Sequence, residues 1–145
     1  MTARHLSAKC LCGAVRLEGD VDQCEVGACH CDICRRWTGG PFIGVGGIKD
    51  TVLSGIDSLS VYQSSAWGER GFCKACGSAL FWRTRDERDY VFAVGAIEDL
   101  GDVTFTSEIF IDSKPSWYEF ANDTKKMTGA EVFAAFGAEQ GKPNG

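Results

Sequence analysis

Apolar and polar positions alternate along much of this chain with the period of two that marks a half-buried strand. Ala14-Val-Arg-Leu-Glu18 alternates, and so does Leu59–Gln63. Phe42–Ile48 is apolar with interspersed glycines, the pattern of a strand with tight neighbours or bulges. Ala79–Arg83 and Asp89–Ala96 read as two strands joined by the charged turn Thr84–Arg88, and Thr104–Asp112 as another. Helix is scarce. Asp32–Thr38 reads as one short helix, stopped by Gly39, Gly40 and Pro41. Thr128–Phe136 reads as a second: Thr128 caps it, Glu131 completes a capping box, and Val132, Phe133 and Phe136 form an apolar face. Only the ends look loose, Met1–Ser7 and a tail from about Gly137 to Gly145. The expected fold is mainly β, a single domain of short antiparallel strands with one or two short helices.

Composition narrows the class. A chain of 145 residues suits one domain and can bury a core without covalent staples. Its 18 glycines are well above the usual share, which favours tight turns and short strands. Net charge is −5 and uneven: residues 1–90 balance 11 basic against 11 acidic groups, and residues 91–145 carry 4 Lys against 9 acids. That acidity argues against a partner tracked through its phosphates, so no nucleic acid is expected. Residues 1–10 lack the apolar stretch of a signal peptide. The longest apolar runs, Phe42–Ile48 and Tyr90–Ile97, fall far short of the roughly 20 residues of a membrane helix. The expected compartment is therefore a reducing cytoplasm, with no membrane partner.

Eight cysteines change the picture more than any other residue type. In a reducing compartment such clusters bind metal or do chemistry more often than they form disulfides. Seven fall into Cys10-Leu-Cys12, Cys29-His-Cys31-Asp-Ile-Cys34 and Cys73-Lys-Ala-Cys76. In an extended chain residues i and i+2 share a face, so Cys10 pairs with Cys12 and Cys29 with Cys31, while His30 points the other way. Cys73 and Cys76, followed by Gly77, form a chelating turn. Structural zinc takes four protein ligands, and catalytic zinc keeps one position open. The simplest partition joins Cys10, Cys12, Cys73 and Cys76 in a four-thiolate site. Cys29, Cys31 and Cys34 then make a three-thiolate site with an open position. The opposite partition, Cys73 and Cys76 with Cys29 and Cys31, leaves more cysteines stranded. Disulfides fit poorly, because a bridge within C-x-C is strained. Spacing alone also allows both ions to be purely structural. Cys24 reads as a small buried residue rather than as a further ligand or redox partner. His30 reads as a packing or hydrogen-bonding group, and His5 as part of a loose N-terminus.

The order C-x-C-G-x-V, C-H-C-x-x-C-R, F-C-x-x-C-G-S-x-L resembles the glutathione-dependent formaldehyde-activating enzyme family, which includes centromere protein V. Here the segments are Cys10–Val15, Cys29–Arg35 and Phe72–Leu80. Thr38–Phe42, Val94–Asp99 and Ile109–Trp117 extend the likeness to roughly Lys9–Asp123, with Glu98 where the family pattern has Asp. The resemblance implies a β-tent zinc-binding domain over residues 6–123, followed by a C-terminal helix and loose tail over 124–145. It implies two zinc ions per chain, a structural one on Cys10, Cys12, Cys73 and Cys76 and a candidate catalytic one on Cys29, Cys31 and Cys34. It also implies a carbon–sulfur lyase of the S-(hydroxymethyl)glutathione synthase kind, adding glutathione or a similar small thiol to formaldehyde or a related aldehyde. Folds host more than one function, so a non-catalytic zinc-binding interaction module is the alternative.

On the enzyme reading, the open position of the second zinc takes the substrate thiol and deprotonates it. Anionic glutathione then needs cationic partners. Arg35 and Arg36 beside the second cluster, and Arg70 just before the third, are the candidates. Each competes with a plainer role as a surface group or partner of a nearby acid. Trp37, Phe72 and Trp82 are candidate pocket walls or core aromatics.

Overall fold

Eleven strands form one sheet in the computed structural model, which describes residues 3–136. In chain order they are β1 (Arg4–Lys9), β2 (Arg16–Val21), β3 (Val26–Cys29), β4 (Phe42–Ser54), β5 (Leu59–Gln63) and β6 (Gly68–Cys73). Then come β7 (Ala79–Thr84), β8 (Tyr90–Ala93), β9 (Ile97–Glu98), β10 (Phe105–Ile109) and β11 (Lys125–Met127). Helix α1 (Asp32–Thr38) follows β3, and α2 (Gly129–Phe136) follows β11. The main path runs β11-β10-β3-β4-β8-β7-β6-β5, with β1, β2 and β9 branching from β4 through β2. Most pairings are antiparallel, but β10 runs parallel to both β3 and β11. The molecule is thus mainly β with two short helices. No helix among the described residues is long and apolar enough to cross a membrane.

Local chemistry explains the helix ends. Cys31 caps α1, and the chain leaves at Gly39, whose φ of +84° suits glycine. At α2, the Thr128 hydroxyl accepts from the Glu131 amide and the Glu131 carboxylate accepts from the Thr128 amide, a reciprocal capping box. The Phe136 side chain and the expected tail from Gly137 lie outside the described residues.

Several strands escape the alternation pattern. The N-terminal segment is not loose from Arg4 onward. Leu6 and Ala8 of β1 are buried in the core, and His5 bonds Asp20 and Glu18 on β2 at 2.7 and 2.9 Å. β6 reads as polar because it carries Glu69 and Arg70, yet both are buried. Glu69 pairs with Arg83 at 2.8 Å across the sheet, and Arg70 turns to the opposite face. β4 runs six residues beyond Ile48, pairing with β2 over that stretch.

Register decides which residues share a face. Ile109 lies opposite Cys29, Cys29 opposite Phe42, Gly44 opposite Ala93, Val91 opposite Trp82, and Trp82 opposite Arg70. These positions line one side of the sheet. Their chain neighbours Val45, Phe81 and Phe92 fill the main core on the other side with Leu6, Leu17 and Ile48. A smaller apolar cluster forms on the first side, where Cys31, Cys34, Phe42, Phe110 and Val132 of α2 meet. Gly27 and Gly44 face each other across β3 and β4 there. A Cβ on Gly44 would sit 2.7 Å from both Val91 Cγ1 and the Phe92 carbonyl oxygen, so this strand crossing requires glycine.

Candidate metal centres

Two turns build the first cysteine cluster. Cys10, Leu11 and Cys12 do not continue the strand, as the alternation argument expected. They form a turn closed by the Gly13 amide on the Cys10 carbonyl at 3.0 Å, with Gly13 at φ +81°. The turn after β6 has the same design, with Gly77 at φ +82° donating to the Cys73 carbonyl at 2.6 Å. Ser78 joins the two turns. Its hydroxyl accepts from the Leu11 amide at 2.9 Å and lies 3.2 Å from the Cys76 sulfur. Backbone amides of Val15 and Cys76 point at the Cys10 and Cys73 sulfurs at 3.3 and 3.4 Å. Hydrogen bonds from the Ser78 side chain and backbone pull the Cys76 thiol below its ordinary pKa. Donors aimed at sulfur favour the thiolate, the form that ligates metal.

The sulfurs of Cys10, Cys12, Cys73 and Cys76 all lie within 4.8 Å of one another. Cys10 to Cys12 is 3.6 Å, and Cys12 to Cys73, 61 positions away, is 3.8 Å. Zinc–sulfur bonds of about 2.3 Å in a tetrahedron place sulfurs about 3.8 Å apart. The donor set fits such an ion. No disulfide joins any of the eight cysteines.

The second cluster sits where β3 ends and α1 begins. Cys29 closes the strand, Cys31 is the N-cap, and Cys34 lies in the first helical turn with its amide 3.4 Å from the Cys31 sulfur. The three sulfurs again lie within 4.8 Å of one another. They compete for negative charge. Hydrogen bonds from Cys29 and Cys34 lower the Cys31 pKa far below its ordinary value, and the same contacts with burial push Cys29 up. Arg70 provides the compensating cation. It is 2% exposed, donates to the Cys34 sulfur at 3.4 Å and to the Ser64 hydroxyl at 3.0 Å, and stacks over Trp37 at 5.1 Å.

The other two arginines nominated from sequence go elsewhere. Arg35 donates to the His30 carbonyl at 3.0 Å and to Asp32 at 2.7 Å. Arg36 is exposed and lines a separate groove between α1 and the β5–β6 hairpin, with Trp37, Tyr62 and Phe72. Cys24 is buried in the main core, away from both clusters, with Arg4 at 3.9 Å from its sulfur.

His30 turns away from the sulfurs that flank it and is fully buried. Its Nε2 bonds Glu108 at 2.8 Å and its Nδ1 bonds the Tyr118 hydroxyl at 2.7 Å. Thr124 donates to the second Glu108 oxygen at 2.6 Å. Burial opposes the Glu108 carboxylate, but the Thr124 and His30 hydrogen bonds outweigh it and hold its pKa below the ordinary value. Sequence reasoning missed Glu108, although one acid within the otherwise uncharged TFTSEIFI was a signal of a buried partner. Glu108→Gln is expected to cost about 1–3 kcal/mol through the imperfectly paired His30. The readout is a lower urea midpoint with unchanged metal content; an unchanged midpoint would show that the network contributes nothing.

Cys29, Cys34 and Arg70 line a cavity of about 490 Å³. Phe42, Trp67, Trp82, Val91 and Phe110 wall it, and Glu25 and Asp89, just before β3 and β8, reach it with exposed side chains. Only Trp82 of these walls was nominated from sequence.

The family model for the glutathione-dependent formaldehyde-activating enzyme matches residues 5–113. The chain belongs to that family. It is 33% identical over 124 residues to an uncharacterized lyase of Schizosaccharomyces pombe, covering 85% of this chain and 90% of the relative. It is 34% identical over 125 residues to a Halomonas elongata protein that carries the family's name, covering 79% and 80% respectively. A crystal structure of a Rhodobacter sphaeroides protein superposes with a TM-score of 0.54 at 26% identity, covering 69% of this chain and 99% of that one. The family match ends at Ser113, so Tyr118 and Thr124, which complete the His30–Glu108 network, lie beyond it.

Proposed function

We propose that this protein is a zinc-dependent carbon–sulfur lyase that adds a small thiol to formaldehyde or a related aldehyde. The observation that carries the reading is the opening of the three-cysteine cluster onto the cavity: three sulfurs supply one fewer ligand than a closed structural site uses. On this reading Cys10, Cys12, Cys73 and Cys76 hold one zinc, and Cys29, Cys31 and Cys34 hold the other. When bound, the second zinc supplies acidity to a thiol that reaches it, making the sulfur nucleophilic at neutral pH. In the reaction, a sulfur–carbon bond forms as the aldehyde C=O π bond opens, and the thiol's proton ends on the former carbonyl oxygen.

The chain's own residues contribute in three ways. Arg70 offsets the surplus negative charge of three thiolates at a position shielded from water. The amide of Cys34 and the α1 cap hold Cys31 in place. The apolar walls exclude water, which strengthens every electrostatic contact inside. A reducing cytoplasm would keep the cysteines available for metal. The names of the relatives support the reading at the level of a lyase and of glutathione-linked formaldehyde chemistry.

The test is a direct assay. Zinc-loaded protein is mixed with formaldehyde and, in turn, glutathione and cysteamine, and hydroxymethyl thioether formation is followed by NMR. Acceleration over the spontaneous reaction with at least one thiol is expected. None with either would leave the interaction-module reading in its place.

A further inference from the structure

We infer that the cavity beside Cys29 and Cys34 takes a thiol with an apolar body and no net negative charge, so that free glutathione is not its preferred occupant. That this occupant is also the substrate rests on the lyase reading; the binding preference rests only on the cavity.

Charge is the first argument. Among the described residues that line the cavity, Arg70 is the cation and Glu25 and Asp89 are the acids. Arg70 is buried and directed at the Cys34 sulfur and Ser64, so its charge balances the cysteine cluster. The two acids then dominate the remainder of the lining. Arg35 is bound to Asp32 and the His30 carbonyl, and Arg36 faces the other groove. A carboxylate entering this space would lose water, gain no uncommitted cation among the lining residues, and meet charges of its own sign.

Polarity of the walls is the second argument. The indole Nε1 atoms of Trp67 and Trp82 are buried without a hydrogen-bond partner, and both residues line the cavity. Both atoms are closed off from the cavity, the Trp82 Nε1 lying over Gly68, so the indoles present ring surface to an occupant and no charge that would compensate a carboxylate. Phe42, Val91, Phe110 and Val132 complete an apolar surface. The glycine pair Gly27 and Gly44 keeps side chains off this part of the sheet. An ammonium group, by contrast, would find Glu25, Asp89 and aromatic faces.

The experiment separates charge from size. Zinc-loaded full chain is titrated with S-methylglutathione and with its diethyl ester, which shares the peptide skeleton but has lost both carboxylate charges. Tryptophan fluorescence follows binding, since Trp67 and Trp82 line the cavity. The ester is expected to bind about tenfold more tightly, the sum of two partly exposed charge contacts reversed in sign. In the Glu25→Gln/Asp89→Asn double variant the ratio is expected to fall below about threefold. Equal or tighter binding of S-methylglutathione, an unchanged ratio in the double variant, or no binding of either probe would overturn the inference. The free-thiol ester is then assayed with formaldehyde. Tight binding of the ester probe without any acceleration would defeat the lyase reading while leaving the cavity's preference intact.

Discussion

Cys10→Ser is expected to abolish the folded state. Cys10 is 2% exposed, and its sulfur belongs to the cluster that ties the β1–β2 turn to the β6–β7 turn. These turns are far apart in sequence, and the Leu11–Ser78 hydrogen bond joins them independently of sulfur. A structural zinc contributes about 10–16 kcal/mol of apparent binding energy in small zinc domains. That is comparable to the whole stability of a domain, about 5–15 kcal/mol. Losing one of four thiolates removes much of that contribution and leaves the other sulfurs without their shared ion. Circular dichroism should show loss of the cooperative thermal transition, and metal analysis should show the four-cysteine ion gone. A chelator should do the same to the wild-type protein. A Cys10→Ser protein that keeps its metal and a wild-type midpoint would show that the first cluster is not a structural metal site.

Cys31→Ser is expected to have the opposite profile, a folded protein without activity. Serine is a good N-cap, so its hydroxyl can replace the sulfur that accepts from the Cys34 amide and α1 should persist. The main core on the other face of the sheet is untouched. What is lost is one of three thiolates, and with it the second metal. Metal catalysis of this kind supplies several kcal/mol of transition-state stabilisation, so a hundredfold or greater loss of catalysed rate is expected. Metal content should fall from two ions per folded chain to one. A variant that unfolds would make the second cluster structural and remove the main support for an enzyme. A variant that keeps full activity would place the chemistry elsewhere.

Local signals were legible where local physics decides. α1 begins and ends at the expected residues because its glycine stop lies next to it in the chain. The Thr128–Glu131 capping box is a contact between neighbours and forms as read. β5 has the expected bounds, but its burial does not alternate, since Val61 and Tyr62 are both exposed. By contrast the start of β1 reads as loose, because its alternation is short and its pairing with β2 is not visible in the sequence. β6 is obscured by Glu69 and Arg70, whose burial depends on Arg83 in β7 and Cys34 in α1. The Cys10–Cys12 pair was read as extended, but its glycine makes a turn of it.

The sequence by itself determined the inventory of chemistry. It set seven cysteines in three short clusters, the glycines that let two of those clusters turn, and a histidine facing away from the sulfurs around it. These follow from spacing, because residues two or three apart cannot separate. Only the tertiary structure decided which clusters meet, that Arg70 rather than Arg35 or Arg36 faces a cysteine sulfur, and that the cavity there is aromatic with acids reaching it. The reason is register. Each of those contacts joins side chains from strands, turns or helices far apart in the chain, and a one-residue slip in the strand pairing would turn Arg70 and Trp82 to the other face of the sheet.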